Sequence, residues 1–229
     1  MLHRNSQKRI YFNDAIYFVT TTTYNNFPYF KEEIFAKILI KQIEICKKIK
    51  NFKLYGFVII PNHMHILFEP NNKFDFSNII QSIKRNSSCN INKIISSSSI
   101  PERANSYSRQ SNSFSRQSCD NMNCRLRPYS DHDSLQQYGL SPSDIENFDI
   151  FLQKQIIAFQ QKYPHNTHHI PKFQWHKSFH DHYIRNQKDF NNHLNYIWRN
   201  PIKHGLTKNN TDYPFSSLKN YDNLINDIE

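Results

Sequence analysis

The chain has no long apolar run. Nowhere in its 229 residues is there a stretch of the roughly 20 apolar residues needed to span a bilayer. The N-terminus, MLHRNSQKRI, lacks an apolar signal core, so the expected compartment is the cytoplasm. Cysteine is sparse: Cys46, Cys89, Cys119 and Cys124. Cys119 and Cys124 have a metal-ligand spacing, but no second close pair completes a zinc site, and free thiols of a reduced protein are the expectation. Acidic residues are in deficit, with 19 Asp plus Glu against 29 Lys plus Arg, a net charge of +10. The sequence pI is about 9.4. Such a surplus favours a polyanionic partner, nucleic acid above all. Aromatics are plentiful, with 18 Phe and 13 Tyr, enough for a core and for stacking on bases.

The length suits one domain with a large insertion, or two small domains. AIYFVTTTTYN (15–25) is β-branched and aromatic and reads as a strand. KEEIFAKILIKQIEICKKIKN (31–51) carries Ile34, Ile38, Ile45 and Ile49 at helical spacing, with an acidic pair in the first turn. FKLYGFVIIP (52–61) and HMHILFEP (63–70) read as two strands joined by a tight Pro-Asn turn, hence antiparallel neighbours. A second helix is expected over 74–95, with Ile79, Ile80 and Ile83 on its apolar side. The order β-α-β-β-α predicts an α+β, ferredoxin-like sandwich, once a fourth strand completes it.

That strand does not come at once. Residues 96–144 are rich in Ser, Asn, Arg and Gln and contain a tandem heptad, YSRQSNS then FSRQSCD (107–120). Such a composition cannot build a core, so a long, partly disordered insertion is expected over 96–167. Within it, 144–163 reads as a helix with Ile145, Phe148, Phe151, Leu152, Ile156 and Phe159 as a docking face. The main domain then comprises 1–95 and 168–229, and HHIPKFQW (168–175) is the candidate fourth strand.

PNHMHILF (61–68) carries the first chemistry. In a strand, His63 and His65 share a face, while Met64, Ile66 and Phe68 point to the other. Two imidazoles so placed can grip one metal ion, or simply face water. With 12 histidines in the chain, the spacing alone is a weak signal, and His180 and His182 in FHDHYIRN form a second pair. Downstream, 187–200 reads as a helix ended by Pro201. Phe190, Leu194 and Ile197 form its buried seam. Tyr196 lies roughly 130° around from that seam, with Asn200 one turn along on the same side. Arg199, Lys203 and His204 bring positive charge nearby. A helical tyrosine at such a position ordinarily packs as a rim residue. A metal on two histidines, a tyrosine hydroxyl and a basic surface together, however, make a phosphoryl-transfer set.

At this point the sequence resembles the REP-associated tyrosine transposases, single-tyrosine members of the His–hydrophobic–His nucleases. The resemblance rests on four segments in order: YFVTTTTY, PNHMHILF, WHKSFHDHYIRN (175–186) and HLNYIWRNPIKHGL (193–206). A closing DYPFSSLKNY (212–221) is similar to the family's end segment. It spans 11–95 and 168–221, about 140 residues, and leaves out 96–167.

The resemblance implies that His63 and His65 are metal ligands and Tyr196 the nucleophile. Asn200 falls where relatives supply a third polar ligand, often Gln. Arg185, Arg199, Lys203, Lys84 and Arg85 are the candidate DNA contacts. Trp175 is expected to pack, and Arg185 to touch phosphate or pair with Asp181. His180 and His182 fall where relatives have aromatic and polar residues, and a supporting or DNA-contacting role is expected of them. The implied reaction is metal-dependent cleavage and rejoining of single-stranded DNA beside a hairpin, through a 5′-phosphotyrosine, with Mg²⁺ or Mn²⁺. The protein would be a monomer or homodimer, and nucleoid-associated when bound. The alternative is a domesticated, non-catalytic hairpin-binding protein or regulator.

Overall fold

Strand β1 (Tyr17–Thr22) shows what its alternating sequence demands: Tyr17, Val19 and Thr21 are buried on one face, and Phe18, Thr20 and Thr22 are half-buried on the other. The computed structural model describes residues 15–71, 73–97, 140–218 and 221–226. The tandem heptad, with Cys119 and Cys124, lies outside the described residues. Helix α1 (Glu33–Lys50) buries the isoleucine side of its sequence and stops where Asn51 adopts the left-handed conformation (φ 47°, ψ 49°). Asn tolerates that conformation better than most residues. Strands β2 (Lys53–Ile60) and β3 (His63–Glu69) form a hairpin across Pro61-Asn62, with Ile60 opposite His63. Helix α2 (Phe76–Ser97) buries Ile79, Ile80 and Ile83 completely.

Helix α3 (Pro142–Lys162) begins where Ser141 accepts a hydrogen bond from the Asp144 amide, with Pro142 in the first turn. Ile145, Phe148, Leu152, Ile156 and Phe159 are buried, and Phe151 is half-buried. The helix docks on α1 through Phe35 and Phe159 (ring centroids 5.6 Å apart). Two polar clasps reinforce it. Lys48 meets Asp144 at 2.8 Å, and the buried Glu32 accepts from Lys162 (2.7 Å) and Tyr163 (2.8 Å).

The sheet order is β2-β3-β1-β4, all antiparallel, the order of a ferredoxin-like sandwich. Tyr17 stacks on Phe76 at 4.2 Å, which puts α2 on the Tyr17 face. The other face carries helix α4 (Gln187–Lys203), whose Leu194 and Ile197 press on Gly56 of β2. A Cβ at Gly56 would stand 2.8 Å from Leu194 Cδ1, so the bare backbone there sets how closely α4 approaches. Beyond α4, the closing segment seals the β2 edge. Phe215 and Ser217 exchange backbone bonds with Ile59 and Phe57, and the Tyr213 hydroxyl donates to the Ile59 carbonyl. Among the described residues, no helix is long and apolar enough to cross a membrane.

Two expectations need correction. The fourth strand is not 168–175 but β4 (His180–Tyr183), paired with β1 from Tyr17–Tyr183 to Thr20–His180. The 168–175 segment makes only an isolated bridge, Thr23 to Trp175. Its aromatics are buried for another reason: Phe173 and Trp175 pack edge-on against each other and beside Phe30. Pro171 has no amide to donate, and the Phe173 backbone is held by the Asn92 side chain rather than by a ladder. Trp175 itself is buried and donates to the Ser87 hydroxyl at 3.0 Å.

The second correction is that α4 does not end at Pro201. It runs on to Lys203 and stops at Gly205, which has φ +65°. The Leu206 amide donates to the Pro201 carbonyl and the Gly205 amide to the Ile202 carbonyl, both at 2.9 Å. These are the two bonds of a glycine-terminated helix end. Proline forfeits one backbone bond inside a helix, but here the loss falls in the last turn, where the terminal bonds offset it.

Candidate active site

The face under α4 is built from alternate residues of three strands. β3 presents His63 and His65, β1 presents Phe18 and Thr20, and β4 presents His180 and His182. The His63 and His65 rings stand 4.8 Å apart and nearly perpendicular. Each has one nitrogen engaged from behind. Asn62 Oδ1 lies 2.8 Å from His63 Nδ1, and Thr20 Oγ1 lies 2.7 Å from His65 Nδ1, across the β1–β3 register. With Nδ1 protonated and donating, each ring offers the lone pair of Nε2. His65 is only 4% exposed, and its Nε2 is buried without a hydrogen-bond partner among the described residues. Burial holds the His63 imidazole down to about 4, helped by the nearby His204. Burial pushes His65 down to about 3, helped by His63, His204 and Lys203. Both rings are therefore neutral at physiological pH, the form that ligates a metal.

Helix α4 brings its polar side to these rings. The Tyr196 ring meets His65 edge-on at 5.1 Å and Phe18 at 5.9 Å. Tyr196 remains 37% exposed, beside Arg199, Asn192 and Asn195 in an open depression. Lys203 Nζ sits 5.2 Å over the tyrosine ring. Two turns on, the His204 ring lies 5.4 Å from His63. Asn200 falls midway between these two contacts, one turn from each. It is fully buried, and neither atom of its amide has a partner among the described residues. A buried amide left unpaired costs about 1–3 kcal/mol, so this one calls for a functional explanation. The donor set fits a divalent cation: two imidazole nitrogens with their far nitrogens braced, and one amide oxygen available.

A second cluster lies on the other side of Phe18. His182 Nε2 is 2.9 Å from Asp189 Oδ2, and His193 Nδ1 is 3.1 Å from Asp189 Oδ1. The ligating atoms of the three all lie within 4.8 Å of one another, so this set can hold a metal ion. Yet its members already satisfy each other. The two rings stack at 4.5 Å with planes 21° apart, and His193 Nδ1 lies 2.9 Å from the Asp189 carbonyl. Two parallel rings do not aim their lone pairs at one point. The hydrogen bond from His182, then the amide of Arg185, hold the Asp189 carboxyl below its ordinary range.

The remaining candidates scatter. Arg199 and Lys203 flank Tyr196, and Arg185 is exposed just before α4. Lys84 and Arg85 lie on α2, across the sheet from Tyr196. Lys84 Nζ donates to the His176 carbonyl at 2.7 Å, and Arg85 has one buried guanidinium nitrogen without a partner among the described residues. Tyr183 points to the Tyr17 face, away from His63 and His65. Sequence reasoning missed Thr20 and Asn62, whose roles need the register, and the Asp189–His193 pair. That pair did leave a signal, an acid four residues before a histidine on one helix side.

The fold is a mixed sheet-and-helix one with paired histidines facing a helical tyrosine, and parts of the chain are similar to known proteins. Residues 11–123 match the family described as Transposase IS200 like. The REP-associated tyrosine transposase of Escherichia coli (strain K12) is 49% identical over 44 residues, which are 19% of this chain and 27% of that one. A solved structure of a REP-associated tyrosine transposase bound to a REP hairpin is 19% identical. The match covers 93% of this chain and 82% of that one, with a TM-score of 0.45. Over these segments the chain is similar to the IS200-like transposases and to the REP-associated tyrosine transposases. It spans about a quarter of the length of the curated relative it matches.

Proposed function

We propose that the chain cleaves and rejoins single-stranded DNA next to a hairpin, with Tyr196 as nucleophile and a Mg²⁺ or Mn²⁺ ion on His63, His65 and Asn200. The observation that carries this reading is the contact of the Tyr196 and His65 rings at 5.1 Å, which sets the phenol beside the unpartnered His65 nitrogen. The domain assignment goes with it: 1–95 and 168–229 form the catalytic unit, and 96–167 is an insertion.

The ion, when bound, polarises a phosphate oxygen and offsets the charge that develops on it. The protein's own residues do the rest. Thr20 and Asn62 fix the two imidazoles. Arg199 and Lys203 hold the DNA phosphate near the phenol. The Tyr196 oxygen attacks phosphorus as its proton leaves. The bond from phosphorus to the 3′ oxygen breaks, and that oxygen takes up a proton. The products are a 5′-phosphotyrosine and a free 3′-hydroxyl. The reverse attack by a 3′-hydroxyl reseals the strand and frees the tyrosine. The phosphoester bond is exchanged rather than lost, so no nucleotide cofactor is consumed.

The test is a denaturing gel with a hairpin-flanked single strand. Tyr196→Phe should fold and bind the DNA yet give neither cleavage nor a protein–DNA adduct. An adduct that persists in Tyr196→Phe and disappears in Tyr183→Phe would overturn the assignment.

A further inference from the structure

His204 has no role in the reading above beyond its charge, yet its backbone is firmly held at the site. It is the residue at which α4 ends. Its own amide donates to the Asn200 carbonyl at 3.1 Å, and the paired bonds of Gly205 and Leu206 lock the turn that follows. Gly205 makes that lock possible, because φ +65° is strained for a residue with a Cβ. The result is a ring held 5.4 Å from the ring of His63, nearly perpendicular to it and open to solvent. It makes no hydrogen bond among the described residues. The helix C-terminus itself, with its partial negative charge, also points to this spot, and a cation is favoured there.

We propose that His204 is a third imidazole ligand of the metal centre, beside His63, His65 and Asn200. The proposal rests on the reading of His63 and His65 as ligands. It changes the character of the site. Two imidazoles and an amide oxygen hold Mg²⁺ or Mn²⁺ weakly, whereas a third nitrogen ligand turns the preference toward Mn²⁺, Co²⁺ and Zn²⁺ over Mg²⁺. It also allows binding before DNA arrives, because fewer ligands must come from phosphate. Residues 196, 200 and 204 then form one ladder at successive turns of α4: nucleophile, amide ligand, imidazole ligand.

Co²⁺ reports this directly, since its visible absorption follows the number and kind of ligands. The full chain, without DNA, is titrated with Co²⁺ alongside His204→Ala, His204→Gln and His63→Ala, and each variant's thermal melt is recorded to establish folding. His204 is exposed, so its variants should melt as the wild type does. His204→Ala should weaken Co²⁺ binding by at least the roughly 10- to 100-fold that losing an outer-shell partner costs and change the spectrum. His204→Gln, which returns an oxygen ligand, should recover part of the affinity with a different spectrum. His204→Ala with wild-type affinity and spectrum, while His63→Ala binds weakly, overturns the third ligand and leaves the site. Wild-type binding by His63→Ala and His204→Ala alike overturns both.

Discussion

Two histidine clusters share one sheet face, with Phe18 between them, stacked on His65 at 5.3 Å and against His193 at 4.7 Å. On one side, His65 and Asn200 are buried and keep polar atoms without partners among the described residues. On the other, His182, Asp189 and His193 are part-exposed and satisfy one another. The comparison teaches where to look for function. Self-satisfied polar groups hold a fold together, here the short edge strand β4 against the start of α4. Unsatisfied buried groups cost stability and call for an explanation, such as an ion or ligand that completes them. The composition of the two clusters is similar, and hydrogen-bond satisfaction separates them.

The sharpest way to break the contrast is to remove a member of the unsatisfied cluster. His65→Ala should lower cleavage by roughly 100- to 1,000-fold, the scale of losing one group aimed at transition-state charge, with DNA binding largely kept. The matching change in the other cluster, Asp189→Asn, should leave cleavage within a few-fold. Equal losses in the two variants, read on the same strand-cleavage gel, would end the distinction.

Next in size is a change that touches neither cluster. Gly56→Val puts a side chain where Leu194 Cδ1 now rests and should displace α4. A cost of about 1–3 kcal/mol in a denaturant melt is expected from such overpacking. Cleavage should fall by more than the melt implies, because Tyr196, Asn200 and His204 all move with the helix.

A third variant exposes the conflict between stability and function. Asn200→Leu keeps the approximate shape and removes the unpaired amide. The metal-free protein should gain up to about 1–3 kcal/mol, while metal affinity drops. A destabilised Asn200→Leu would show that the amide has partners in solution.

The clusters also differ in the range of pH over which they act. His63 and His65 bind protons more weakly folded than unfolded. Their contribution to stability is present above about pH 6.5, the unfolded value. It is lost as pH falls toward about 4 for His63 and about 3 for His65. The Asp189 carboxyl is also depressed, so its contribution is lost only on the acid side of about pH 3.9. Melts from pH 7 to 3 should show destabilisation starting near pH 6.5, weakened in the His63→Ala/His65→Ala double variant. Asp189→Asn should flatten only the most acidic part of that curve.

How much of this was legible depended on the range of the signal. The β2–β3 hairpin was readable because two apolar runs flank Pro61-Asn62. The shared face of His63 and His65 followed from a period of two. Strand β4 was missed because HDHY is a polar edge strand, with three of its four residues exposed. The aromatic 168–175 segment looked more like a strand because its side chains are buried, but their burial is in a cluster with Phe30 and not in a ladder. Reading Pro201 as a stop left His204 as a nearby charge rather than the residue that closes the last turn of α4. Lys84 and Arg85 lie on α2, on the sheet face away from Tyr196, a placement that their positions in the sequence do not reveal.

By itself, the sequence determined the periodic elements, the basic charge and the identity of the residues that carry chemistry, because these depend on neighbours a few positions away. Only the tertiary structure decided that residue 65 meets residue 196 and residue 63 meets residue 204. That meeting requires α4 to cross the sheet at one height and one rotation. The height is set by the missing side chain at Gly56 and the rotation by the burial of Phe190, Leu194 and Ile197. Packing between segments more than 100 residues apart has no period to read, so the site stayed a list of candidates until the chain was folded.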